Sequence, residues 1–333
     1  MKIISWILLI LMLVLAVTYF TGPKIPKPEF SKVLPRLPEK LPALEEYVQQ
    51  REAKQPTRKD NQARILWQDS VPKMTDFSIV YLHGFGGSYR DGYPVNVQVA
   101  DTLGANIYLA RWAGHGLQPE TALKDFSPDA AWESAKEALA IGNKIGKKVI
   151  IMSTSTGGTL ALKLAATYPE RVFALINISP NIEDDFDGSF LLNSPWGYEL
   201  AHLVSFGDRR EIEHEKQIAS RYFDTVYPSK ALVDLQVLLA KSMTKKTFQK
   251  VKCPVLTLYY YENFLEEDEH VEVEVFPEVH KKFSTPDSLK KLVRLEEPRN
   301  HFMGSEIKSK NTEVVLQAIV KFFRKELQLE LQD

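Results

Sequence analysis

The run Ser153-Thr154-Ser155-Thr156-Gly157-Gly158 constrains this chain more than any other stretch. An apolar segment over 149–152 reads as a buried strand and leads directly into it, and a helical pattern begins near Thr159. A strand that turns into a helix within so few residues needs small side chains around the turn, because the neighbouring strand and helix would collide with larger ones. The turn exposes the side chain at its apex and sets it beside the free amide donors of a helix N-terminus. Ser155 occupies that apex. A plain helix cap, with Ser155 satisfying backbone amides, uses the same residue types, so the rest of the chain has to distinguish the two.

Short apolar runs alternate with helical patterns on either side of this turn. Strands are expected over 64–67, 77–82, 105–109, 149–152, 172–178, 255–261 and 292–295, and helices over 41–54, 96–103, 130–145, 159–168 and 313–327. Such alternation specifies an α/β fold, a mostly parallel central sheet with helices on both faces. Between about 181 and 250 the alternation stops, and the stretch has helix-like segments with no clear strand. This is the size of a mainly helical cap inserted into a domain running from 64 to 333. The expected division is residues 1–22 as an apolar segment, 23–63 as a proline-rich spacer with a short helix, and 64–333 as the capped domain.

Taken together, the turn at Ser155 and its strand–helix setting resemble the α/β-hydrolase superfamily over about residues 76 to 325. The nearest likeness is to serine hydrolases such as monoacylglycerol lipases, carboxylesterases and related thioesterases. The family's elbow reads G-x-S-x-G, and Ser153 stands here for the first glycine. His83-Gly84-Phe85-Gly86-Gly87-Ser88, at the end of a strand, matches the family's loop that lends an amide to the oxyanion hole. By that match the donors are the N–H groups of Phe85 and Thr156. His83 then braces its loop, and His115, in Ala113-Gly114-His115-Gly116, holds a tight turn.

The family order places an acid and then a histidine after the serine. His301, in Arg299-Asn300-His301-Phe302, follows the last expected strand and is assigned as the base; His280 lies before that strand and fits less well, and His270 lies within the acid loop. For the acid, the family's D-x-x-V-like turn matches Asp268 and Val271. It lies farther beyond the strand than usual, which implies a short insertion, and Glu262, Glu266 and Glu267 are rivals. The resemblance therefore implies a Ser155–Asp268–His301 triad that cleaves a carboxylic ester or thioester through an acyl-enzyme, with no metal or organic cofactor. A non-catalytic binding protein on the same fold, or an acyltransferase using the same triad, are the alternatives.

Other signals point away from competing chemistries. Lys plus Arg number 42 and Asp plus Glu 43, a net charge of −1, so no whole-chain attraction to nucleic acid is expected. Gly84-Phe85-Gly86 lacks the third glycine of a dinucleotide site. The acidic stretch 183–188 fails as a calcium loop, because its twelfth position is Ser194. The single cysteine, Cys253, excludes an intrachain disulfide. The cap aromatics and apolar residues Phe190, Leu191, Trp196, Tyr198, Phe206, Tyr222, Phe223 and Tyr227 suit either cap core or an acyl pocket.

The N-terminus is set apart. Residues 3–20 carry no charge, and at about 1.5 Å per residue they span about 27 Å, close to a bilayer core of about 30 Å. The run exceeds a usual signal-peptide core and lacks a good small-x-small cleavage site. A retained single-pass anchor is expected, placing the catalytic domain beside a membrane and a lipid-derived ester within reach. Export after signal cleavage is the alternative, and the flanking charges leave topology open.

Overall fold

The computed structural model describes residues 2–184 and 188–332 of the 333-residue chain. Part of the stretch excluded above as a calcium loop, residues 185–187, lies outside the described residues. The chain opens with α1 (Lys2–Thr21), a helix with none of its apolar window buried. The proline-rich stretch that follows is extended, as repeated proline requires, and is strapped to the domain by its backbone. The Glu29 and Phe30 amides donate to Asp129 at 3.1 and 2.7 Å, while the carbonyls of Ser31 and Val33 accept from Trp132 Nε1 and Lys136 Nζ, both at 2.7 Å. Helix α2 (Leu41–Ala53) then leads to β1 (Arg64–Leu66).

The domain proceeds through β2 (Thr75–Leu82), α3 (Val95–Leu103), β3 (Asn106–Leu109), α4 (Pro128–Ile145), β4 (Gly146–Thr154), α5 (Thr156–Thr167) and β5 (Ala174–Ile178). The inserted region holds α6 (Gly197–Val204), β6 (Arg209–Glu211), α7 (Ala219–Tyr222), β7 (Val226–Pro228), α8 (Lys230–Ser242) and α9 (Lys245–Phe248). The fold closes with β8 (Val255–Asn263), β9 (Glu266–Glu267), α10 (Phe276–Lys282), β10 (Lys290–Leu295) and α11 (Glu313–Lys325). The main sheet runs in the order β1-β3-β2-β4-β5-β8-β10, parallel throughout except for β1, and β9 folds back antiparallel on β8. This is the α/β-hydrolase fold.

Alternation along the strands divides the core in two. Val80 and Leu82 of β2 and Val149 and Ile151 of β4 face a core that includes residues of α2, α4, α5, α8 and α10. Their neighbours Ile79, Tyr81, Ile150 and Met152 face the opposite core, against α3 and α11. The central strands are buried on both faces, which is why they read as continuous apolar runs. The insertion is mainly helical but contains a small antiparallel ribbon, β6 with β7, that the sequence did not suggest. Arg209, Arg210 and Glu211 of β6 are all exposed, so no apolar alternation marks it.

Candidate active site

Ser155 sits between the end of β4 and the start of α5 with φ 54° and ψ −124°, a backbone conformation unusual for a residue with a side chain. Three hydrogen bonds hold it there. Its N–H donates to Ile178 O at 3.0 Å, and its carbonyl accepts from Gly158 and Asn181 N–H, each at 2.8 Å. Gly157 is required for the turn, because a Cβ there would lie 2.0 Å from Leu82 O and 2.7 Å from His83 O. Ser153, where the family has glycine, is buried, and its Oγ donates to Asn177 Oδ1 across the β4–β5 pair at 2.9 Å. The hydroxyl is thus satisfied within the sheet.

The loop after β2 approaches the same point. Gly84 O accepts from Gly87 N–H at 3.1 Å, closing a tight turn whose third residue, Gly86, has φ 67°, a value that favours glycine. Phe85 occupies the second position, and its ring packs against Phe126, Tyr227 and His115. A Cβ added at Gly84 would stand 3.0 Å from Ser155 Cβ, so this loop and the elbow are in contact. The Phe85 and Thr156 amides have no backbone or side-chain acceptor among the described residues. For Thr156 this follows from its place at the start of a helix, where N–H groups lack intrahelical partners.

Asp91 supports this arrangement from beneath and was not singled out by the sequence. Its carboxylate accepts from Gly84 N–H at 2.6 Å and Tyr81 Oη at 2.5 Å, and Tyr81 Oη also lies 2.8 Å from Thr154 Oγ1. One buried group therefore ties the residue before Phe85 to the residue before Ser155. Burial pushes the Asp91 carboxyl up to about 7.

His301 and Asp268 meet directly. His301 Nδ1 lies 2.8 Å from both carboxylate oxygens of Asp268, and both side chains are buried. Asp268 Oδ1 also accepts from His270 N–H at 3.0 Å. Burial opposes the charge on Asp268, but His301 and these donors outweigh it and hold the carboxyl below its ordinary range. His301 Nε2 is buried with no hydrogen-bond partner among the described residues, so a hydrogen bond to Ser155 is not formed in this state. His301 is sandwiched by rings: His270 stacks on it at 4.7 Å and 10°, and Phe302 meets it edge-on at 4.8 Å. Phe302 in turn lies within 3.6 Å of the Cβ position at Gly84. Ser155, the loop after β2 and His301 thus gather at the ends of β2, β4 and β10, the carboxyl edge where α/β sheets place ligands.

The other candidates fall elsewhere. His83 is buried, with Nδ1 2.9 Å from Trp112 Nε1 and 2.8 Å from Gly84 O; burial pushes its pKa well below the usual range. His115 is buried and stacked on Trp112 at 4.3 Å, its Nδ1 2.9 Å from Ala113 O. His280 Nε2 lies 3.0 Å from Thr257 Oγ1. Glu266 and Glu267 form β9, and Glu262 pairs with Arg299. Asp268, His270 and His301 can each present one ligand atom within 4.8 Å of the others, but Asp268 and His301 Nδ1 already satisfy one another. A cleft of about 280 Å³ opens beside the pair, lined by Tyr260, Glu269, His270, Arg299 and His301 among others.

Sequence reasoning also missed Asp184. This half-buried carboxylate accepts from Asn181 Nδ2 at 2.5 Å and from Gln236; burial pushes its pKa up against the pull of these donors and of His301. It lies in the acidic stretch considered only as a calcium loop, where nothing in the local pattern distinguishes it from solvated neighbours.

The family model described as the Alpha/beta hydrolase family matches residues 79–282. That is more than half of the chain, and the chain belongs to this family. No curated protein matches it. Among solved structures it is similar to one from a study of LipS and LipT, two metagenome-derived lipolytic enzymes, with TM-score 0.64 and 17% identity over 81% of this chain and 99% of the other. It is similar to a monoacylglycerol lipase from Paleococcus ferrophilus, with TM-score 0.56 and 15% identity over 78% and 96%. It also resembles alpha/beta hydrolase domain-containing protein 10 from mouse, with TM-score 0.53 and 17% identity over 79% and 93%. At such identities the likeness concerns the fold.

Proposed function

We propose that the protein is a serine hydrolase acting on carboxylic esters, with Ser155 as nucleophile, His301 as base and Asp268 as its orienting acid. The observation that carries this reading is the buried Asp268–His301 pair, which occupies Nδ1 and leaves Nε2 without a partner among the described residues. An imidazole held this way keeps its proton on Nδ1 and can take another on Nε2.

In the reaction, Ser155 Oγ attacks the acyl carbonyl and His301 Nε2 takes its proton. The carbonyl electron pair moves to oxygen, where the amides of Phe85 and Thr156 donate to it. His301 then gives the proton to the leaving alcohol as the acyl-enzyme forms, and water repeats the sequence to release the acid. Asp268 stabilises the imidazolium in both halves. The Ser155–His301 hydrogen bond forms as substrate binds, since such contacts tighten in the Michaelis complex.

The reading extends to organisation: residues 1–22 anchor the chain in a membrane, 23–63 form the strap, and 64–333 form the catalytic domain with its cap at about 181–250. Anchoring favours a lipid-derived ester, because the site then works beside the bilayer. The length and exposure of α1 support the anchor. The test is steady-state turnover of p-nitrophenyl esters by the full chain in detergent. Ser155→Ala and His301→Ala should each lower kcat by about 10⁴ or more; full activity in either would refute the assignment.

A further inference from the structure

Four apolar residues that the sequence left between cap core and acyl pocket are exposed, so they are not cap core, although Phe190 lines a cavity of about 530 Å³ with Asp184 and Gln236. Phe206 is 100% exposed at a loop tip, Phe190 is 71% exposed, and Leu191 and Trp196 are also exposed. Beside Phe206, Leu203 is 68% exposed and Val204 is exposed as well. Helix α6 turns Gly197 and Ala201 inward, with Tyr198 and Leu200 against Leu192 and Val233. Its last turn and the following loop thus present Leu203, Val204 and Phe206 to the outside. Water gives such side chains no compensation, and three together form a patch of the kind that marks a contact surface.

Their position relative to α1 gives the patch its partner. Trp196, the residue that opens α6, donates from Nε1 to Thr18 O in the last turn of α1 at 3.0 Å, and from its amide to Pro23 O at 3.4 Å. Ile25, just past α1, packs into the small core shared by Leu192, Ala201 and Val233. The cap is therefore fastened to the end of the apolar helix. Eight residues of α6 cover about 12 Å, so Leu203 and Val204 lie within about that distance of Trp196, which is bonded to the end of α1, and Phe206 follows two residues on. Tryptophan at such a junction suits the interface, with its ring in apolar surroundings and its N–H on a carbonyl.

We propose that the end of α6 and its following loop form a second membrane contact, in which Leu203, Val204 and Phe206 insert into the lipid surface around α1. The partner is the bilayer itself, in the manner of interfacial helices that bury an apolar face at the headgroup boundary. Two attachment points, instead of the single one at α1, fix the cap's orientation over the lipid. The inference rests on α1 spanning the membrane.

Spin-label depth measurements on the full chain in phosphatidylcholine nanodiscs test it. In a Cys253→Ser background, single cysteines replace Leu9 in α1, Leu203, Phe206, and Phe264 at the exposed tip between β8 and β9. Labels at Leu203 and Phe206 should collide with oxygen and lose collisions with a water-soluble nickel chelate, as at Leu9, while Phe264 stays in water. Lipid at Leu9 with water at Leu203 and Phe206 overturns the second contact and leaves the anchor intact. Water at Leu9 overturns the anchor and this inference with it. Dipolar broadening between labels at Phe206 would instead assign the patch to a second copy of the chain, which also overturns it.

Discussion

Asp268 and His301, 33 residues apart in sequence, are joined through a single imidazole nitrogen, Nδ1, held 2.8 Å from both carboxylate oxygens. An amide in place of the carboxylate retains the shape but stabilises the imidazolium poorly and permits the wrong tautomer. Asp268→Asn should lower kcat by about 10⁴ with a far smaller change in KM. Kinetics on a soluble ester decide it, and an undiminished kcat would remove Asp268 from the triad.

The pH dependence of stability tests the buried carboxylate beneath the loop after β2. Asp91 is pushed up to about 7 by burial, against 3.8 in the unfolded chain. The folded state therefore holds this proton more tightly, and the resulting stability is present below about pH 4 and lost as pH rises through about 7. Asp91→Asn removes that titration. The fall in Tm between about pH 5 and about pH 8 should be smaller in the variant than in the parent; an equal fall in both would contradict the account.

One buried ion pair pins the cap to the loop after β2. Arg58 Nη2 lies 2.6 Å from Asp224 Oδ1, and Asp224 N–H donates to Gly86 O at 2.6 Å. Removing the cation strands a buried carboxylate, so Arg58→Ala should cost about 3–5 kcal/mol in chemical denaturation. The double variant Arg58→Met, Asp224→Leu should recover much of that loss. A cost below about 1 kcal/mol for Arg58→Ala would place the pair among weak surface bridges.

The elbow allows no side chain at Gly157, where a Cβ would press on Leu82 O and His83 O, both backbone atoms of β2 and its loop. Gly157→Ala should lose several kcal/mol or fail to fold, as overpacking against backbone does. Thermal unfolding and soluble yield report it. A variant as stable as the parent would mean that the turn is not packed as described.

Much of this was legible in the chain because the physics is local. Strands buried on both faces must be continuously apolar, and the residues around Ser155 must be small, so β4, the elbow and α5 could be read directly. The helix begins at Thr156 and not near Thr159, since the tight turn leaves no room for a separate cap. The distance from strand to Asp268 had looked like an insertion. It is the β8–β9 hairpin, with exposed Phe264 and Leu265 at its tip and Leu265 N–H on Asn263 Oδ1 at 3.0 Å. Asp91 and Asp184 were invisible because a carboxylate's burial depends on distant packing, with Tyr81 and Gln236 respectively. The exposed cap residues were left open for the same reason: hydrophobic character alone does not say which side of α6 faces out.

The central claim is that Ser155 carries the acyl group. The most direct measurement is mass spectrometry of the full chain after reaction with a fluorophosphonate. One adduct should form, mapping to the peptide that contains Ser155, and it should vanish in Ser155→Ala. An adduct on another residue, or one that persists at full strength in Ser155→Ala, would contradict the assignment.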